Sequence, residues 1–122
     1  MKAVFLTTHT NDVDSLVRAW DYQSREKAKH IRFRYDQPVN DPMLIELCLK
    51  AEPDLIFYIG GCAKKGIPKI NTFKLLKTKA PIIHLCCDAG DQPWWPLLEQ
   101  YRGRECFTLQ VTLDGRVDAP VS

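Results

Sequence analysis

The stretch Pro81-Ile82-Ile83-His84-Leu85-Cys86-Cys87-Asp88 decides the fold class of this chain. From Ile82 to Cys87 it is apolar apart from His84, with no alternation of polar and apolar residues. Such continuous runs are typical of strands covered on both faces in the middle of an α/β sheet. Polarity changes at Asp88, and ligands of open parallel sheets bind just beyond the carboxyl ends of the strands. The stretch therefore predicts a central strand, and Asp88 is a candidate ligand contact. The alternative is that Asp88 only begins a loop.

Four other segments have strand patterns, and helical patterns separate them. Ala3–Thr7 and Asp54–Ile59 are continuous apolar runs, whereas Ile31–Tyr35 and Cys106–Leu113 alternate. This succession predicts one α/β domain over residues 1–122, a three-layer, Rossmann-like fold with a five-stranded, mostly parallel sheet. Continuous strands belong in the centre of a sheet and alternating strands at its edges, where one face is partly wet. We therefore predict the strand order 2-1-3-4-5.

The helical segments carry apolar stripes and end signals. The first stripe ends at Trp20, which is predicted to be buried against the sheet. Asp41 is predicted to cap the second helix, with Pro42 at the first helical position. A third helix is predicted over roughly residues 68–79, and a short fourth one carries Leu97 and Leu98.

Composition limits the class of protein. The 122 residues suit one domain, and a net charge of +2 is too small to argue for nucleic acid or a membrane surface. No apolar run approaches the roughly 20 residues of a membrane span, and no signal-peptide pattern is present. The five cysteines form no C-x-x-C pair. These features predict a cytoplasmic protein with reduced thiols, no disulfide and no metal site, and no cofactor is predicted either.

The predicted strand order places a crevice between strands one and three. The loops Thr8–Asn11 and Gly60–Gly66 face each other there, and Asp88–Trp95 forms one wall. A histidine near a carboxylate could act as a general base, glycines let a backbone approach a ligand, and a tryptophan can stack on a ring. The candidate residues are His9 as the catalytic base and Gly60, Gly61, Asp88, Asp91 and Trp95 as substrate contacts. The alternatives are a solvated histidine, a tight turn and a tryptophan packed on the sheet edge.

Three common phosphate-related motifs are excluded. The first loop has no glycine, so it is not a dinucleotide fingerprint. Gly61 to Gly66 has the spacing of a P-loop, but Ile67-Pro68 replaces the lysine and the hydroxyl residue. A phospho-accepting receiver domain needs an aspartate at the end of the third strand, where this chain has Gly60.

The segments Lys2–Thr8, Glu52-Pro53-Asp54-Leu55-Ile56 and Pro81–Asp88 resemble the N-terminal, acceptor-side domain of two-domain GT-B glycosyltransferases, in particular bacterial family-1-like and spore-maturation-like members. The resemblance implies transfer of a sugar from a nucleotide sugar to a hydroxyl acceptor, with His9 as the base and Asp88 at the end of the fourth strand. It also implies a second domain for the donor, so this chain alone is predicted to be inactive.

A flavodoxin-like module that binds a small ligand or a flavin is the alternative. It has the same strand order and a Thr8-His9-Thr10-Asn11 loop after the first strand. Against it, the loop lacks glycine, and Asp12 and Asp14 would repel a phosphate at that helix end.

Overall fold

Strands and helices alternate along the chain in a computed structural model, which describes residues 1–8, 11–34, 36–60, 66–86 and 106–112. The elements are β1 (Ala3–Thr8), α1 (Asn11–Ser24), β2 (Lys29–Phe33), α2 (Asp41–Lys50), β3 (Leu55–Ile59), α3 (Ile70–Lys77), β4 (Ile82–Cys86) and β5 (Leu109–Thr112). All five strands are parallel, in the order β2-β1-β3-β4-β5. The predicted α/β fold and its strand order are confirmed.

Apolar side chains form one core on each face of the sheet. On the first face, Leu44 and Cys48 of α2 and Phe73 and Leu76 of α3 pack against Ile56 and its neighbours. On the second face, Val17 of α1 packs against residues of β1 and β3. Because alternate strand residues point to opposite faces, the continuous runs in β1 and β3 supply both cores at once.

Aromatic rings fill the centre of the first core. The ring centroid of Tyr58 lies 4.8 Å from that of Phe73 and 6.0 Å from that of Phe107. Phe73 and Phe107 meet edge to face, with centroids 5.0 Å apart. Such geometries are favourable for aromatic pairs and add to the burial of apolar area. This cluster fixes the end of β3 relative to the segment that enters β5.

Trp20 lies against the second face, as its helical stripe predicts. Its ring meets Phe57 and Phe5 at steep angles, with centroids 5.2 and 6.2 Å away. The residue is only partly buried, and its enclosed indole Nε1 has no hydrogen-bond acceptor among the described residues. Complete burial of Trp20 is therefore not observed.

The start of α2 differs from the prediction. Asn40, one residue earlier, is the cap, and its Oδ1 accepts a hydrogen bond from the Met43 amide. The buried Asp41 carboxylate instead accepts from the Lys69 amide at 2.9 Å and from the Thr72 hydroxyl at 2.5 Å. Asp41 therefore ties α2 to the start of α3, a long-range role that a local capping pattern does not reveal.

The edge strand β5 alternates as predicted, but its polar residue Gln110 is more deeply buried than its apolar residue Leu109. Gln110 is 2% exposed, whereas Leu109 is 42% exposed. Gln110 pairs in register with His84 on the α2–α3 face, so Leu109 points to the α1 face. The pairing of Gln110 with His84 of β4 thus accompanies a burial opposite to that expected from the hydrophobic pattern of β5.

Cys48 and Cys106 are buried free thiols, and burial raises the pKa of the Cys48 thiol to about 12. Cys48 therefore stays protonated and is a poor nucleophile. In the part of the chain that the structure describes, no helix combines the length and apolar character that a membrane crossing requires.

Candidate binding site at the carboxyl edge of the sheet

The carboxyl ends of β1 and β3 lie side by side at the centre of the sheet. Thr7 of β1 pairs with Ile59 of β3, so Thr8 and Gly60 come next at the same edge. In the sheet, β2 lies beside β1 on one side of this pair, and β4 lies beside β3 on the other side. The strand order therefore reverses between β1 and β3. In open parallel sheets this reversal opens a crevice that binds ligands. Thr8 and Gly60, both buried, form its described floor.

The Tyr58 ring leaves no space for a side chain at position 60. A Cβ atom at this position would lie 2.8 Å from the Tyr58 hydroxyl oxygen and 3.0 Å from Cζ of the same ring. Tyr58 is only 2% exposed and packs among other rings, so it has little room to withdraw. The chain therefore presents bare backbone at the end of β3.

Replacing Gly60 by alanine is expected to destabilise the domain by about 1–3 kcal/mol, the range for overpacking a filled core. Chemical denaturation would measure the loss. The same substitution in a Tyr58→Phe background should cost less, because the nearest atom is then absent. Equal costs in both backgrounds would show that the Tyr58 hydroxyl is not the obstacle.

A buried polar pair lies one layer below the edge. Gln110 Nε2 lies 2.8 Å from His84 Nδ1, and His84 is completely buried. Among the residues that the structure describes, Gln110 Oε1 has no hydrogen-bond partner. Burial lowers the pKa of His84 to about 4, and the nearby Gly60 backbone opposes this shift only in part. His84 is therefore a neutral core residue.

A second polar group joins β1, β2 and α1 on the other face. Thr7 Oγ1 lies 2.6 Å from His30 Nε2. Arg32, two residues along β2, forms a 2.7 Å ion pair with Asp14 of α1. Burial and then the charge of Arg32 lower the pKa of His30. The group holds α1 close to the carboxyl half of the sheet.

This second group was not predicted, because strand two was assumed to begin at Ile31. The strand begins at Lys29, which places His30 and Arg32 on one face. Ile31 and Phe33 share one face of the strand. Extending this alternation back by one residue would have placed His30 on the opposite face, together with Arg32. The ion pair places the positive charge of Arg32 beside the negative charge of Asp14.

Of the six predicted site residues, the structure describes only Gly60, which lies at the predicted edge. The other five, His9, Gly61, Asp88, Asp91 and Trp95, lie outside the described residues. Their proposed roles as base and ligand contacts remain predictions. Among the described residues, no group of three or more histidines, cysteines and acids could hold a metal ion.

Comparison with known proteins bears on the fold of the chain. No family model and no curated protein matches the chain. Among solved structures, the chain is similar to the response regulator domain of Thermotoga maritima CheB. The TM-score is 0.51 at 15% sequence identity, over 100% of this chain and 83% of that one. The fold is flavodoxin-like.

The predicted relationship to GT-B glycosyltransferases is therefore wrong. The matching structure is a response regulator domain, and no family model links the chain to sugar transfer. The residues that suggested it, Lys2–Thr8, Glu52–Ile56 and Pro81–Asp88, are strand patterns that many parallel α/β sheets share. These patterns indicate the fold and carry no information about the reaction. Nothing supports a sugar acceptor or a nucleotide-sugar donor as partners, since both were inferred from that resemblance.

Proposed function

We propose that this chain is a flavodoxin-like binding module that holds a small ligand at the carboxyl edge of the sheet. The observation that carries the proposal is the position of Gly60, which ends β3 beside the end of β1 at the reversal of strand order. Because Gly60 has no side chain, a ligand at this edge could approach the backbone closely.

Phosphoryl acceptance is not part of this proposal. A phospho-accepting domain needs a carboxylate at the end of β3, and this chain has Ile59 and Gly60 there. The Tyr58 ring occupies the space into which a side chain at position 60 would extend. The similarity to a response regulator domain therefore supports a shared architecture, used here for binding.

A flavin nucleotide is the first ligand to test. The main objection to a phosphate near the start of α1 was the charge of Asp12 and Asp14. Arg32 pairs with Asp14 at 2.7 Å and offsets one of the two charges. The positive end of the helix dipole then favours an anion more than the sequence alone suggests.

The test compares flavin mononucleotide with riboflavin, which lacks the phosphate, by equilibrium dialysis. Both should bind the wild-type chain. Arg32→Gln should weaken the nucleotide about two- to fivefold, the effect of 0.3–1 kcal/mol expected for one charge near a helix N-terminus, and leave riboflavin unchanged. Arg18→Gln is the control, because the exposed Arg18 contacts Ser15 of its own helix. Failure of both flavins to bind at ligand concentrations of roughly 1 mM would refute the flavin proposal.

A further inference from the structure

An acidic residue with a left-handed backbone conformation follows α2. After the C-cap Ala51, Glu52 has a φ of 49°, and its amide donates to the Leu49 carbonyl at 3.0 Å. A positive φ is unfavourable for residues with a Cβ atom, and glycine is the usual residue just after a helix C-cap. Among the described residues, the Glu52 carboxylate has no ion-pair partner. Glu52 therefore adds a local backbone cost and an unpaired negative charge at the amino edge of the sheet.

An open cavity of about 440 Å³ lies beside Glu52, between the ends of α2 and α3. Its described lining residues are Leu49, Glu52, Pro53 and Lys79. Leu49 packs against the first core, so this part of the wall is fixed. The Ile56 amide donates to the Pro81 carbonyl at 2.9 Å, which joins the two segments that leave the helices. The cavity is therefore held by the fold itself, and its volume lies in the range of small-molecule sites.

Two opposite charges line this cavity without neutralising each other. Lys79, like Glu52, is exposed and forms no ion pair in the part of the chain that the structure describes. Leu49 and Pro53 supply apolar surface beside the two charges. A ligand with one ammonium and one carboxylate complements both charges, whereas a singly charged ligand complements only one.

We propose that this cavity binds a free α-amino acid with an apolar side chain. Its ammonium lies at Glu52, its carboxylate at Lys79, and its side chain against Leu49 and Pro53. The site is at the amino edge of the sheet, opposite the edge proposed for the flavin, and does not depend on that proposal. Exposed charge pairs each contribute little, so the expected dissociation constant is millimolar.

Titration of the isotope-labelled 122-residue chain with leucine tests the proposal through backbone amide shifts, at ligand concentrations up to roughly 20 mM. The shifts should saturate and cluster at Ala51, Glu52 and Lys79. Thr8 and Gly60, at the opposite edge, should stay unchanged, which distinguishes this site from the flavin site. Absence of shifts around the cavity would overturn the proposal.

Two leucine analogues identify which charge holds which end of the ligand. N-acetylleucine lacks the ammonium and leucine amide lacks the carboxylate, so each should bind about two- to fivefold more weakly than leucine, the effect of one exposed charge pair. Glu52→Gln should abolish the preference for leucine over N-acetylleucine and keep the preference over leucine amide. Lys79→Gln should do the reverse. Equal affinities for the three compounds, or preferences that neither variant changes, would overturn the proposal.

Three further variants separate the charge from the backbone. Glycine has no steric cost at a positive φ, so Glu52→Gly should stay folded and bind leucine as weakly as Glu52→Gln. Arg25→Gly is the backbone control, because Arg25 has a φ of 58° and is not among the described lining residues. Lys50→Gln is the charge control, because the exposed Lys50 of α2 lines a different cavity. Both controls should keep the wild-type affinity, and a loss in either one equal to that of Glu52→Gly would overturn the assignment.

Discussion

Replacing Phe73 by alanine is expected to lower the free energy of unfolding by about 3–5 kcal/mol, the range for a large aromatic side chain removed from a core. Phe73 is fully buried on α3, and its ring lies between Tyr58 and Phe107. Truncation would remove both ring contacts and leave a cavity against the centre of the sheet. Urea denaturation with a linear extrapolation measures the change.

Leu75→Ala provides the comparison within the same helix. Leu75 is 42% exposed, so its truncation should cost less than about 1 kcal/mol, since surface substitutions rarely cost more. Similar losses for the two variants would show that α3 presents a different face to the sheet from the one described.

Acidification from pH 7 to pH 4 is expected to remove about 3 kcal/mol of stability through His84 alone, because one pKa unit corresponds to about 1.4 kcal/mol. The pKa of His84 is about 4 in the folded state, against an ordinary value of 6.5. The unfolded chain therefore binds the proton first, and stability is lost as the pH falls from 6.5 toward 4. Well above pH 6.5 both states are neutral at this residue, and its contribution is constant.

Denaturation curves at several pH values, for wild type and for His84→Gln, isolate this effect. Glutamine does not titrate and can still form a hydrogen bond with Gln110. The variant should lose most of the slope between pH 6.5 and pH 4 and retain only that of other groups. His30→Gln is the second comparison, because the pKa of His30 is also lowered. An unchanged slope in His84→Gln would mean that His84 is not a buried neutral group.

Strand order was predictable because a strand buried on both faces has a continuous apolar run, whereas a strand buried on one face alternates. The apolar runs of β1, β3 and β4 lack alternation, and these strands occupy the centre. The position of Gly60 followed from that order, because the carboxyl ends of adjacent parallel strands share an edge. Local patterns of this kind depend only on the period of the side chains.

Features that depend on distant partners were not predictable. Asp41 has the sequence position of a helix cap but binds the amide of Lys69 and the hydroxyl of Thr72. Gln110 is buried because His84 lies opposite it, and no local pattern in β5 signals that pairing. The glycosyltransferase resemblance failed for a related reason. Strand patterns fix the sheet, whereas function depends on which side chains meet at its edge.

The most direct test of the proposed binding site is a map of backbone amide shifts during titration of the isotope-labelled chain with flavin mononucleotide. We expect the shifts to cluster at the carboxyl edge, at Thr8, at Gly60 and in the first turn of α1. The amides of Lys2, Lys29 and Asp54, at the opposite ends of the strands, should stay unchanged. Shifts concentrated at those opposite ends, with Thr8 and Gly60 unaffected, would contradict the proposal that this module binds its ligand at the carboxyl edge.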